Sequence, residues 1–214
     1  MSRQNKTHAL KIIELLEKEY PDAKIALNYT NTLELLIATI LSAQATDKQI
    51  NELTKTLFKK HKTAKDYANA DLKELEQDIK PSGFYHNKAR NIQKCCQMLV
   101  EKFHSQVPKT MDELLELPGV ARKTANIVQQ NAYGVVEGIA VDTHVRRTSK
   151  RLGLTDQEDP EKIEQDLMRI VPRNKWGKIT DLLITLGRRV CVANKPKCTE
   201  CVLDKICPSA FTFD

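Results

Sequence analysis

Four of the six cysteines in this 214-residue chain fall within its last 24 residues, as Cys191, Cys198, Cys201 and Cys207. The run C-x6-C-x2-C-x5-C, with Pro208 behind it, places four soft ligands within 17 residues. Thiolates at such close spacing can converge on one metal centre, with three short loops supplying all four ligands. Structural zinc sites pair two C-x2–4-C knuckles across a longer insert. The tighter spacing here favours a [4Fe–4S] cluster, with zinc as the alternative. The N-terminal stretch MSRQNKTHALKIIELLEKEY has neither the apolar core nor the small-residue cleavage site of a secretory signal. The protein is therefore expected inside the cell (cytoplasm or nucleoid in a prokaryote), where a disulfide framework does not form. Cys95 and Cys96 lie on the apolar face of a predicted helix and read as buried structural thiols.

The rest of the chain reads as helix. Ala9, Ile12, Ile13, Leu16 and Tyr20 recur at helical spacing until Pro21. Thr32 is placed to cap LELLIATILSAQ, which is apolar on most sides and predicts a core helix. Asp47 is placed to cap KQINELTKTLFKK, and DLKELEQDI follows. A longer helix carries Ile92, Cys95, Cys96, Leu99 and Phe103 on one face. Beyond Pro108 the pattern predicts a short helix, the turn LPGVA and a helix from about Arg122 to Ala132. Further helices are expected around Asp142–Leu152, Pro160–Ile170 and Lys175–Val190. Nothing alternates as a half-buried strand does, and Val135–Val141 reads as a connection. No apolar run approaches the ~20 residues that span a bilayer. The expected class is all-α.

Charge adds a weak indication. A formal net charge of +6 and a pI near 8.9 lean toward polyanionic partners without identifying one. The segment MDELLELPGVARKTANIVQQNAYG is more informative. Small residues in its turn let the backbone approach a ligand, and the second helix opens with unpaired amides that suit a phosphate. By itself this is also how an ordinary helical hairpin looks.

The combination is specific. LPGVARKTANIV, then VDTHVRR, then the cysteine run resemble the endonuclease III family, as do LLIATILSAQATD and SGFYHNKARNI upstream. The resemblance runs in order from about Leu10 to Pro208. It implies a helix–hairpin–helix DNA glycosylase fold of two helical domains with the active site in the cleft between them. One, at about residues 24–137, would be a six-helix barrel; the other, residues 1–23 with 138–214, would carry the [4Fe–4S] cluster on the four cysteines. The implied partner is double-stranded DNA containing damaged bases or abasic sites, met by a monomer. The implied substrates are oxidised pyrimidines such as thymine glycol and 5-hydroxycytosine, and abasic sites.

By the same resemblance, Lys123 is the nucleophile that attacks the sugar C1′, expels the base and leaves a Schiff base whose β-elimination cuts the strand. Asp142 would stabilise positive charge developing at C1′; read without the resemblance, it is an N-cap for THVRRTSKRL. A base inside a duplex must be flipped out and its hole filled. Gln44 is the implied plug and Phe84 the implied wedge at the opposite strand, where relatives commonly have Leu; a core aromatic is the alternative for Phe84. Phosphates would meet the amides of Gly119 and Ala121, and Lys195 and Lys197 in the loop after Cys191. Ala121 stands where relatives often have a second Gly, and Asn194 where they often have a base. Arg147, Lys150 and Arg151 share a helix face and read as a solvated one.

Two relatives with the same cluster spacing or fold, adenine-mismatch and thymine-mismatch glycosylases, lack a lysine at the position of Lys123. A non-catalytic DNA-binding module would have no use for Lys123 and Asp142 together.

Overall fold

The computed structural model describes residues 3–213, and among these every regular element is helical. No described helix is long and apolar enough to cross a membrane. The backbone forms two compact units, one from Ala26 to Val135 and the other from the segments up to Ile25 and from Val136 onward.

The unit from Ala26 to Val135 is organised round α2 (Thr32–Leu41), buried along Leu35–Leu41. Its neighbours are α3 (Asp47–Lys60), α6 (Tyr85–Lys102) and α8 (Arg122–Val128). A helix apolar on every side is stable only when wrapped in this way. Side chains such as Leu36 and Leu41, with no exposure, each contribute about 1.5–3 kcal/mol by leaving water. Two shorter helices, α4 (Ala64–Ala68) and α5 (Leu72–Ile79), pack on α6, where Cys95 and Cys96 are fully buried. Burial pushes the Cys95 thiol up to about 12 and raises that of Cys96 further, so both stay protonated.

The helix starts shift by one residue from the sequence reading. Asn31, not Thr32, caps α2 by accepting from the Glu34 amide, and Thr46, not Asp47, caps α3 by accepting from Gln49. Each pair holds two competent cap residues, and the one with extended backbone takes the role. The helix expected to run to Ala132 keeps α geometry only to Val128 and widens into a π turn over Gln129–Tyr133, closed by Gly134 at φ 64°. Helix α4 carries a full capping box between Thr63 and Asp66 that the sequence reading did not include.

The other unit is a cluster of α1 (Arg3–Glu19), α9 (Thr143–Arg151), α10 (Pro160–Ile170) and α11 (Trp176–Arg189). Ile12, Leu16, Val145, Leu167, Leu182 and Leu186 fill its core. His8 on α1 reaches the carbonyl of Leu152 at the end of α9 (2.9 Å). Helices α9 and α11 approach closely at Gly187, where a Cβ would lie 3.1 Å from the Cβ and Nδ1 of His144 and 3.2 Å from the Arg147 guanidinium.

Candidate active site

The hairpin is built from α7 (Met111–Glu116), a turn and α8. Met111 and Leu114 anchor the first helix in the core. The turn needs its glycine twice over. Gly119 has φ 82°, and a Cβ there would sit 2.9 Å from the Asn91 Cβ. Ala121, in contrast, is extended at φ −94°, so alanine is unstrained where relatives often have glycine. No side chain caps the first turn of α8, and Gly119 and Ala121 before it are exposed. Lys123 stands in that first turn, exposed.

Asp142 caps α9, with Oδ1 accepting from the Val145 amide at 2.7 Å. The capping role read from sequence holds, and it fixes the half-buried carboxylate at the head of the helix.

Gln44 and Phe84 occupy two exposed turns of the first unit, and both have left-handed backbone, at φ 55° and φ 48°. For a non-glycine residue that conformation costs about 1–2 kcal/mol. Phe84 is 66% exposed, so the core-aromatic alternative is wrong. It packs too little to be held there by burial.

The four C-terminal cysteines, all free and half-buried, line one pocket together with Leu186, Val190 and Phe213. Burial raises the thiol pKa of Cys201 and Cys207 above the ordinary value, and the Cys207 thiol donates to the Arg151 carbonyl at 3.4 Å. Among the described residues no three His, Cys, Asp or Glu side chains gather as a site for a metal ion. Lys195 and Lys197 are exposed in the loop between Cys191 and Cys198; Lys195 is left-handed at φ 52°, and Lys197 lies 3.4 Å from Glu200.

The solvated-face reading fails for Arg147 and Arg151. Arg147 donates to the carbonyls of Cys191 (3.1 Å) and Gly187 (2.8 Å), and Arg151 donates to those of Val192 (2.7 Å) and Ala193 (2.8 Å). Arg151 also stacks under the Phe213 ring at 4.1 Å. Only Lys150 keeps to the surface, paired with Glu158. The i, i+4 spacing of the two arginines was visible in the sequence, but the loop they grip is 40 residues away and left no local sign.

A two-helix hairpin with a glycine turn, followed by a helix capped by aspartate, defines the class. Residues 37–173 match the HhH-GPD superfamily of base excision DNA repair proteins. The chain is 49% identical to endonuclease III of Synechocystis sp. over 205 residues, 96% of this chain and 94% of that relative. It resembles the solved structure of a non-covalent endonuclease III–DNA complex with a TM-score of 0.93 at 45% identity, over 99% of this chain and 98% of that one. The same score and identity, over 99% of both chains, relate it to a trapped endonuclease III–DNA covalent intermediate. The chain belongs to the endonuclease III family of base excision repair DNA glycosylases.

Proposed function

We propose that the protein is a bifunctional DNA glycosylase and abasic-site lyase that removes oxidised pyrimidines from duplex DNA and cuts the strand at abasic sites. The observation that carries this reading is Lys123, an exposed amine on the first turn of the helix that follows the Gly119 turn. A relative of 45% identity forms a covalent intermediate with DNA that can be trapped, which is the behaviour an amine nucleophile produces.

In this mechanism the neutral Lys123 amine attacks C1′ as the bond from C1′ to the base breaks, and the base leaves with a proton. The sugar ring opens to an imine. Removal of a C2′ proton then expels the 3′ phosphate, and water releases Lys123. Asp142 contributes a fixed negative charge where C1′ becomes positive, a role that its cap to Val145 pre-organises. The amides of Gly119 and Ala121, with Lys195 and Lys197, hold phosphates. Gln44 fills the hole left by the flipped nucleotide, and Phe84 wedges at the opposite strand.

Cys191, Cys198, Cys201 and Cys207 are the residues that would hold a [4Fe–4S] cluster. What supports this reading is that all four thiols line one pocket and fall at C-x6-C-x2-C-x5-C spacing, tighter than paired zinc knuckles. Bound there, it would supply structure by ordering the loop that carries Lys195 and Lys197, and no chemical step passes through it.

The test is a panel of duplexes bearing thymine glycol, 5-hydroxycytosine, an abasic site or no lesion. Release of the two bases with strand cut on the 3′ side, and cutting at the abasic site, are expected. Base release with the strand left intact would contradict the lyase half, and no release from either pyrimidine would contradict the substrate class.

A further inference from the structure

Lys88 is only 6% exposed, yet among the described residues it forms no ion pair with a carboxylate. Its ammonium instead donates to two backbone carbonyls, of Leu41 at 2.8 Å and of Ser82 at 2.7 Å. Both acceptors end segments that lead directly into a strained turn. Leu41 is the last residue of α2, three before Gln44, and Ser82 is two before Phe84. The Lys88 amide closes the first turn of α6 on the Phe84 carbonyl at 3.1 Å, so the same residue also fixes Phe84 from the other side. A second link runs nearby on the surface, where the Gln49 side-chain amide donates to the Pro81 carbonyl. Gln49 lies in the first turn of α3, immediately after the Gln44 turn.

A buried ammonium needs its partners, and charged hydrogen bonds to carbonyls are short and directional. Left-handed backbone at Gln44 and Phe84 persists only if the surroundings hold it. One buried cation with both turns in its grip does that, and it ties the geometry of one turn to that of the other.

We propose that Lys88, assisted by Gln49, is a positioning residue that couples the Gln44 and Phe84 turns so that the two side chains enter a duplex as a unit. This rests on the reading above that both turns penetrate DNA. A lysine serving only general stability would lower the melting temperature without changing how the two side chains depend on each other.

The experiment is a double-substitution cycle read by fluorescence of a 2-aminopurine beside a non-cleavable abasic analogue in a duplex, which reports penetration of the stack. In the wild-type background, Gln44→Ala and Phe84→Ala are each expected to lower penetration about tenfold, and together little more than either alone. In Lys88→Met, which keeps the volume and removes the donors, penetration starts lower and the two substitutions multiply. Lys88→Arg, still able to donate to both carbonyls, is expected to restore part of the dependence. If Lys88→Met does not fold, the cycle is run in the surface variant Gln49→Ala, where partial loss of dependence is expected. Undiminished dependence in a folded Lys88→Met, or in Gln49→Ala where that variant is the test, overturns the proposal. If neither Gln44→Ala nor Phe84→Ala alters penetration in the wild type, the reading of the turns is wrong and the proposal falls with it.

Discussion

The carboxylate of Asp142 receives the amide of Val145 at 2.7 Å, so one side chain both starts helix α9 and holds a negative charge at its head. The two roles separate by substitution. Asparagine caps a helix about as well as aspartate. Asp142→Asn is therefore expected to keep the melting temperature and lesion binding while base release slows about 100-fold or more, the usual loss when charge stabilisation of a transition state is removed. Single-turnover base release alongside thermal unfolding checks this; wild-type turnover would leave Asp142 with the cap alone.

The α9–α11 contact is tight at Gly187. Gly187→Ala puts a methyl 3.1 Å from the His144 ring and 3.2 Å from the Arg147 guanidinium, which must then give way. Overpacking of this kind costs about 1–3 kcal/mol, and part of it is expected as a loosened Arg147 grip on Cys191. Denaturant unfolding measures the loss; an unchanged midpoint would mean that the contact relaxes freely.

The cysteine loop is held from α9, which bears on how the proposed cluster would be retained. Purified protein is expected to be yellow-brown with iron and sulfide near four each per chain. Arg151→Met removes the bonds to the Val192 and Ala193 carbonyls and the stack on Phe213, and faster iron release to a chelator is expected. Stoichiometric zinc without sulfide would overturn the cluster, and unchanged release would remove Arg151 from its support.

Which of these features the sequence displayed follows from the range of the interactions. Helical periodicity placed α10 at the bounds observed, because its signal lies in neighbouring residues and a Pro at the first position. The Asp142 cap was visible for the same reason. In sequence Arg147 and Arg151 read as solvated charges and Lys88 gave no signal of its own; only packing reveals that they bind carbonyls 40 or more residues away, or in Lys88's case also six. The left-handed backbone at Gln44 and Phe84 was hidden as well, since neither residue type favours it and no neighbouring glycine occupies the position.

Burial lowers the pKa of His144 below its ordinary value, outweighing the nearby Asp142 carboxylate, and its Nδ1 accepts from Arg147 at 3.1 Å in the neutral form. With the folded pKa depressed, the unfolded chain takes up the proton first as pH falls. The stability this interaction provides is present at neutral pH and is lost from about pH 6.5 downward, until the folded pKa is passed. His144→Gln keeps an acceptor for Arg147 without a titrating group. Urea unfolding between pH 7.5 and pH 5 is expected to show a steeper decline in the wild type than in the variant. Parallel declines would contradict this account of His144.

Lys123 carries the central claim, and borohydride trapping tests it most directly. Reductant present during reaction with a lesion duplex is expected to convert the imine into a stable protein–DNA crosslink in the wild type. Lys123→Ala should give no crosslink and no strand cleavage, while iron content and affinity for undamaged duplex stay near wild-type values; alanine is at least as favourable on a first helical turn, so folding is preserved. A wild-type protein that releases bases without ever crosslinking, or a Lys123→Ala variant that crosslinks at the wild-type rate, would contradict the assignment of Lys123 as nucleophile.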